Sequence, residues 1–497
     1  MRRVPILIAG AAPVGMTLAL VLARLGVHVM LVERNRSATA HPKMDITNVR
    51  SMELFRRLGL AQVLRAVAVP EAHPFDVAWV TTMVGHELHR FRYPNVIEQR
   101  IEIGRRNDGS QPLEPAMRVS QVLIEPALRR VVEAEPRVAC RFGTAFEDCT
   151  QDGGGVTAVV RETTTGHTEK IRCAYLAGCD GGASRVRACL GVQLEGRAQV
   201  SQRYMVHFRS KARDLLQRWG ITWHYQSPLG TLIAQDDVDH WTLQARPQPG
   251  EEDRLDPNAL LGRFLGGSID CEILVANPWT PHLLVAETYR RGRVLLVGDA
   301  AHQYIPTGGY GMNTGIGDAC DLGWKLAARV RGFGGPGLLE AYDAERRPVG
   351  LRNRYASAAH TQVRMSIAQA YAEAGGSLDS PAAGRRREAL AARIAALGNA
   401  ENESLGIELG YAYPRSPIVC RESDTEVCDD PLRYVPTTAP GARLPSVLLA
   451  DGNALFDRLG SLVHVARLGR PAGRAIACGG ASPWHAAQGR VHQPARP

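Results

Sequence analysis

Residues 4–33 read VPILIAGAAPVGMTLALVLARLGVHVMLVE. Residues 4–9 are apolar almost without a break and stop at Gly10, as a strand buried on both faces does. Residues 16–25 are apolar nearly all round, the pattern of a helix with no solvent face. Residues 27–32 repeat the strand pattern and end at Glu33. The order is strand, glycine turn, helix, strand, acid. In the turn, Gly10-Ala11-Ala12-Pro13-Val14-Gly15, Gly10 permits the reversal and Gly15 lets the helix close on the strand. The turn's N–H groups and the helix N-terminus suit a pyrophosphate. Glu33 follows Gly15 by 18 residues, where a carboxylate accepts from ribose hydroxyls. Ala12 stands where a middle glycine is usual and turns a methyl group toward the phosphates. Taken alone, the segment also suits a structural crossover that binds nothing.

Two further fragments have the same character. Residues 170–178 read as a strand entering Cys179-Asp180-Gly181-Gly182-Ala183-Ser184. Residues 293–297 read as a strand entering Gly298-Asp299-Ala300-Ala301-His302. Asp299 then lies at the carboxyl end of a strand, where open α/β sheets bind ligands. Each Asp-Gly or Gly-Asp pair by itself is an ordinary turn signal. The glycine-rich loop 307–311 feeds a helix pattern running through Leu322, Trp324, Leu326 and Val330, so N–H groups and a positive dipole end point outward there. These features predict an α/β chain built on a Rossmann-like dinucleotide-binding domain.

In this order the three fragments resemble the single-component FAD-dependent aromatic hydroxylases, the para-hydroxybenzoate hydroxylase fold. His302 to Leu326, Asp45 to Glu53 (DITNVRSME) and Tyr342 to Pro348 (YDAERRP) are similar to its phenol-hydroxylase and polyketide-hydroxylase branch. The resemblance implies that Gly10, Ala12, Gly15, Glu33 and Arg34 surround the ADP half of FAD. Lys43, in place of a usual arginine, would lie near the pyrophosphate and the nicotinamide. Arg118 and Gln121, on a helix pattern, would contact the ribityl chain. Asp180 would serve both FAD and NAD(P)H. Gly298 and Asp299 would hold the ribityl chain, and Gly311, Met312 and Asn313 the isoalloxazine. Pro306 would stand beside the flavin face.

The same resemblance implies a discontinuous FAD-binding domain, residues 1–75, 105–190 and 290–400. Interleaved with it, residues 76–104 and 191–289 would form a substrate domain. There, residues 203–209, 221–227, 231–235 and 240–246 alternate as short strands of an antiparallel sheet. They carry His207, Trp223, His224, Tyr225, Gln235 and Trp241. Period-2 geometry puts Trp223 and Tyr225 on one face and His224 on the other. His224, Tyr225 and Pro306 are the catalytic candidates, although ordinary sheet packing explains the two sheet residues as well. Residues 370–400 read as a helix with a charged face. Residues 401–497 form a C-terminal region, truncated thioredoxin-like or partly disordered, whose 440–460 stretch resembles the start of a thioredoxin-like third domain.

Composition sets outer limits. The chain has 497 residues, 45% hydrophobic and 22% charged, and a net charge of +9. That is long enough for two or three domains. Arginine is dispersed and not interleaved with aromatics, so no nucleic-acid partner is expected. Arg2 and Arg3 before an apolar run imitate a signal peptide, but glycines interrupt the run early. No apolar stretch of about 18 residues lacks breakers, so no membrane span is expected. Ten cysteines without a CxxC pair suit reduced thiols in a cytoplasmic protein and no metal site.

The implied activity is a monooxygenase that consumes NADPH or NADH and O2. It would hydroxylate a small phenolic or polyketide-type aromatic substrate through a C4a-hydroperoxyflavin, as a monomer or homodimer. A non-catalytic FAD- or aromatic-ligand-binding sensor is the alternative from another class. A plain NAD-dependent dehydrogenase leaves Asp299 and residues 311–313 without a role. The halogenase Trp-x-Trp-x-Ile-Pro signature is absent.

Overall fold

A computed structural model describes residues 1–247, 250–251, 255–420 and 427–460. The strand Arg2–Ala9 lies at the centre of a sheet, parallel to Val29–Glu33 on one side and Thr168–Gly178 on the other. Val138–Phe142 extends the sheet beyond Val29–Glu33, and Val294–Leu296 extends it beyond Thr168–Gly178, both in parallel. Ala9 pairs with Gly178, and Gly178 with Leu296. The three fragments of the sequence therefore begin side by side at one sheet edge, although about 290 residues separate the first from the last. The helix Pro13–Arg24 carries proline in its first turn and caps poorly, with no side-chain partner at Ala12. Burial holds it instead: Met16, Leu18, Leu22 and Ala23 join a core that continues into the helix Tyr310–Val330.

A second sheet has seven strands in the order Glu272–Trp279, Arg203–Arg209, His240–Ala245, Gly230–Ala234, His224–Ser227, Val77–Val80 and Glu87–Phe91. All neighbours are antiparallel except His224–Ser227 with Val77–Val80. One face is apolar: Val206, Phe208, Tyr225, Leu232 and Leu243 pack beneath Leu260, Leu261 and Phe264 of the helix Pro257–Leu265. The other face turns toward the first sheet, and a cavity lies between them.

The single helix read over 370–400 is two, Leu338–Ala374 and Gly384–Leu397. Gly375 and Gly376, at φ 61° and 57°, take positive-φ conformations open to glycine, and these end the first helix. Ile367, Ala370, Leu390 and Ile394 pack on Trp79. This hairpin, expected above to belong with the first sheet, thus covers the end of the second. Residues 427–460 lie back along the helix Val49–Arg57, where Arg443 is buried and ion-paired to Glu53. The tail beyond residue 460 lies outside the described residues. Among the described residues no helix is long and apolar enough to cross a membrane.

Candidate active site

Two adjacent cavities, which share lining residues, define the site. The first, about 470 Å³, runs along the edge where the three fragments meet. Gly10, Ala12, Glu33, Arg34 and Asp180 line it, as do Asp299, Gly311 and Met312. The second, about 550 Å³, lies under the second sheet. Lys43, Met44, Asp45, Trp279, Ile305 and Pro306 border both. Each volume falls within the range of about 300–1,000 Å³ usual for small-molecule sites.

The first cavity is shaped by backbone. Gly10 sits at φ 102°, a conformation that carries a large penalty for residues with a Cβ. A Cβ at Gly15 would overlap the Gly10 carbonyl, so the helix can begin this close only with glycine. Glu33 accepts from the N–H of Ala11 at 2.9 Å and of Asn35 at 2.9 Å, which pins the turn to the second strand. Asp180 accepts from Ser184 Oγ at 2.5 Å and Val186 N at 3.0 Å. Arg187 donates to the carbonyls of Gly182 and Ala300, joining the second fragment to the third. The methyl of Ala12 lines the cavity without closing it.

Asp299 presents its carboxyl to this cavity. Its carboxyl is open to the cavity, but the protein enclosing that cavity desolvates it and raises its pKa, and the nearby charges of His302 and Lys43 offset the rise only in part. Beneath it lies a buried ion network that sequence reading missed. Asp318 Oδ2 accepts from His302 Nε2 at 2.8 Å and from Gly298 N at 3.2 Å, and Oδ1 accepts from Arg346 Nε at 2.7 Å. Burial pushes the Asp318 carboxyl up, but Arg346 and His302 outweigh it and hold it below the usual range. Gly298 itself is buried behind Val14 and shapes the wall without lining it. The helix Tyr310–Val330 starts at the cavity, and the N–H groups of Tyr310, Gly311 and Met312 in its first turn lack intrahelical partners.

Several expected contacts fall elsewhere. Arg118 belongs to the short strand Met117–Arg118, not a helix. Its guanidinium donates to the carbonyls of Pro74, Thr222 and Ala234, tying the small ribbon it forms with Ile46–Thr47 to the second sheet, away from the first cavity. Gln121 opens the helix Gln121–Ala134 and does line the cavity. Asn313 points away: its amide accepts from Asn48 N at 3.0 Å and donates to the carbonyls of Ile46 and Gly309. Tyr225 lies on the outer face of its strand, in the apolar core, with its hydroxyl donating to Gly220 O at 2.7 Å. The strand alternation that aims His224 inward necessarily aims Tyr225 outward. Tyr225→Phe should therefore leave turnover at this site unchanged within about two-fold and cost about 1 kcal/mol of stability. Steady-state rates and denaturant midpoints check this.

Trp223 precedes the strand His224–Ser227, so period 2 does not separate it from His224. Both reach one carboxylate: Trp223 Nε1 donates to Asp45 Oδ2 at 2.8 Å, and His224 Nε2 lies 2.9 Å from the same oxygen. Burial raises the Asp45 carboxyl, yet the hydrogen bond and charge of His224 bring it below its ordinary value. Asp45 lies inside the quoted stretch 45–53, but only the fold places it opposite residues about 180 positions later.

The comparisons agree with this geometry. The model of a family described as an FAD binding domain matches residues 3–356. The chain is 36% identical over 485 residues to the FAD-dependent monooxygenase apdD of Emericella nidulans, covering 92% of this chain and 77% of that one. The chain belongs to the FAD-dependent monooxygenases. It is also 31% identical to a 4-methyl-5-nitrocatechol 5-monooxygenase of Burkholderia sp., over 92% of this monooxygenase and 81% of the relative. Among solved structures, the flavin-dependent monooxygenase PieE in complex with FAD and substrate aligns with a TM-score of 0.82. Identity is 30%, and the alignment covers 92% of this chain and 84% of PieE. The monooxygenase is an FAD enzyme of the para-hydroxybenzoate hydroxylase fold. Its residues fit that group: a turn that only glycine at 10 and 15 lets close this tightly, two helix N-termini at the cavity and a carboxyl facing it.

Proposed function

We propose that this monooxygenase takes electrons from NADPH or NADH and hydroxylates the ring of a phenolic or polyketide-type aromatic compound. The observation that carries the reading is the meeting of the two cavities at Lys43, Asp45, Trp279, Ile305 and Pro306. Bound FAD supplies the redox chemistry and the activation of oxygen. The chain's own residues bind, orient and exclude water. Gly10, Gly15, Glu33 and Arg34 hold the ADP half. Asp299 accepts from the ribityl hydroxyls. The free N–H groups of Gly311 and Met312, at the start of the helix Tyr310–Val330, would donate hydrogen bonds to the flavin ring and favour negative charge on it.

Trp279, Ile305 and Pro306 shield the junction from water, which protects a reactive oxygen species from wasteful decay. Asp45, held by Trp223 and His224, faces the same junction and can accept a hydrogen bond from a ring hydroxyl. This makes His224 a positioning residue for Asp45. Burial of the aromatic ring against Trp79, Met205 and Ile233 supplies binding without specific chemistry.

The test uses the purified protein loaded with FAD. NADPH and NADH oxidation, oxygen consumption and product mass are followed with a panel of phenols, catechols and hydroxynaphthalenes. The expected result is a yellow protein whose nicotinamide oxidation rises with an aromatic and yields a product one oxygen heavier. A protein that takes up no FAD, or nicotinamide oxidation that no aromatic accelerates, would overturn the proposal.

A further inference from the structure

The substrate-side cavity holds more positive charge than its walls neutralise. On the second sheet, alternation turns Arg203 and Met205, Gln244 and Arg246, and Asn277 and Trp279 to the cavity face. Tyr204 pairs with Ala245 in antiparallel register, which sets Arg203 opposite Arg246. Like charges in that relation repel. Arg364, from the helix Leu338–Ala374, brings a third guanidinium to the same wall. Only Arg364 has an acidic partner, Glu401 at 2.8 Å, and it also donates to Thr231 Oγ1. Arg203 donates to the Gln202 carbonyl at 3.0 Å. Among the described residues neither Arg203 nor Arg246 pairs with a carboxylate. Burial, then Arg246 and Arg364, push the Arg203 guanidinium down to about 10. Burial and then Arg364 lower Arg246 in the same direction.

Uncommitted polar groups surround these cations. Gln226 is 1% exposed, and neither end of its amide has a hydrogen-bond partner in the protein. Gln235 Oε1 and Asn277 Oδ1 are likewise buried without partners, and all three residues line this cavity. Facing cations and unpaired amides destabilise the protein in the absence of a ligand. One class of ligand relieves both: an aromatic acid, whose carboxylate takes guanidinium donors and whose other polar atoms meet the amides.

We propose that the substrate bears a carboxylate, held by Arg203 and Arg246, in addition to the ring that is hydroxylated. This deepens the function proposed above and rests on the sheet cavity being the substrate site. A cavity of about 550 Å³ has room for a multi-ring acid. The guanidinium pair then discriminates acids from neutral phenols, while the FAD-binding domain contributes Ile305 and Pro306 on the reacting side.

The test titrates the FAD-loaded enzyme with 6-hydroxy-2-naphthoate and 2-naphthol, read as the change in flavin absorbance without turnover. The acid should bind at least about ten-fold tighter, the scale of a charge-assisted hydrogen bond. Arg203→Gln and Arg246→Gln should each weaken the acid by about ten-fold and leave 2-naphthol within about two-fold. Because each removes a repulsion, neither variant should melt earlier than the parent without ligand, a result that a merely structural arginine would not give. Equal binding of the two probes, or of neither, overturns the inference. So does a variant whose acid binding is unchanged while its KM for NADPH or NADH rises, which assigns the arginines to nicotinamide phosphates. A protein that prefers the acid but shows no aromatic-stimulated nicotinamide oxidation keeps the subsite and sinks the proposed activity. Stimulated oxidation without acid preference does the reverse.

Discussion

Asp318→Ala should lower the unfolding free energy by about 3–5 kcal/mol, the usual consequence of removing one partner from a buried ion pair. Asp318, His302 and Arg346 are each no more than 1% exposed. Without the carboxylate, the Arg346 guanidinium keeps only neutral acceptors, Thr314 O at 3.2 Å and Tyr413 Oη at 2.9 Å. Gly298 N loses its acceptor as well, so the turn carrying Asp299 should loosen and FAD retention should fall with stability. Urea unfolding at pH 7 measures the first effect and flavin release the second. The sign with pH follows from the depressed carboxyl. Its contribution is complete above the unfolded value of about 3.9 and is lost as pH falls through the lower folded value. The gap between variant and parent should therefore narrow in strong acid. A loss below about 1 kcal/mol at pH 7 would show that the network is not what holds this turn.

Asp299→Ala should raise the Kd for FAD by about ten- to hundred-fold, corresponding to about 1.5–3 kcal/mol for hydrogen bonds to a charged group. Its carboxyl faces the cavity, and among the described residues it has charged neighbours but no hydrogen-bond partner. Stability without FAD should consequently change little, which separates this variant from Asp318→Ala. Titration of the FAD-free protein followed by flavin fluorescence gives the constant. Affinity within about two-fold of the parent would remove Asp299 from the cofactor site. The two variants together distinguish a residue that touches the ligand from one that holds the wall.

The outcome for individual residues follows from what kind of information each required. Gly10, Gly15 and Glu33 were legible because a glycine turn between two buried elements has one geometry, set by residues within one β-α-β unit. Asp299, Gly311 and Met312 were legible for the same reason: a strand end and a helix start are local. Asn313 follows Met312 directly, yet its side chain leaves along the helix face toward residues 46–48. Arg118 was read in its family place, but cross-sheet carbonyls claim its guanidinium. Tyr225 and His224 needed one further fact, the identity of the face covered by the helix Pro257–Leu265. Alternation assigns neighbours to opposite faces and is silent on which face is the cavity.

By itself the sequence determined the β-α-β unit, the order of the three turns that meet at one cavity and the presence of short alternating strands, because these depend on backbone conformation and on periods of 2 and 3.6 residues. Tertiary structure alone decided which side chains meet. Parallel register set Ala9, Gly178 and Leu296 at one edge, and antiparallel register set Arg203 against Arg246. Packing of the segment before Ile46–Thr47 against the second sheet brought Asp45 to Trp223 and His224. These are relations between segments far apart in the chain, fixed by which faces are buried against each other, and no local pattern encodes them.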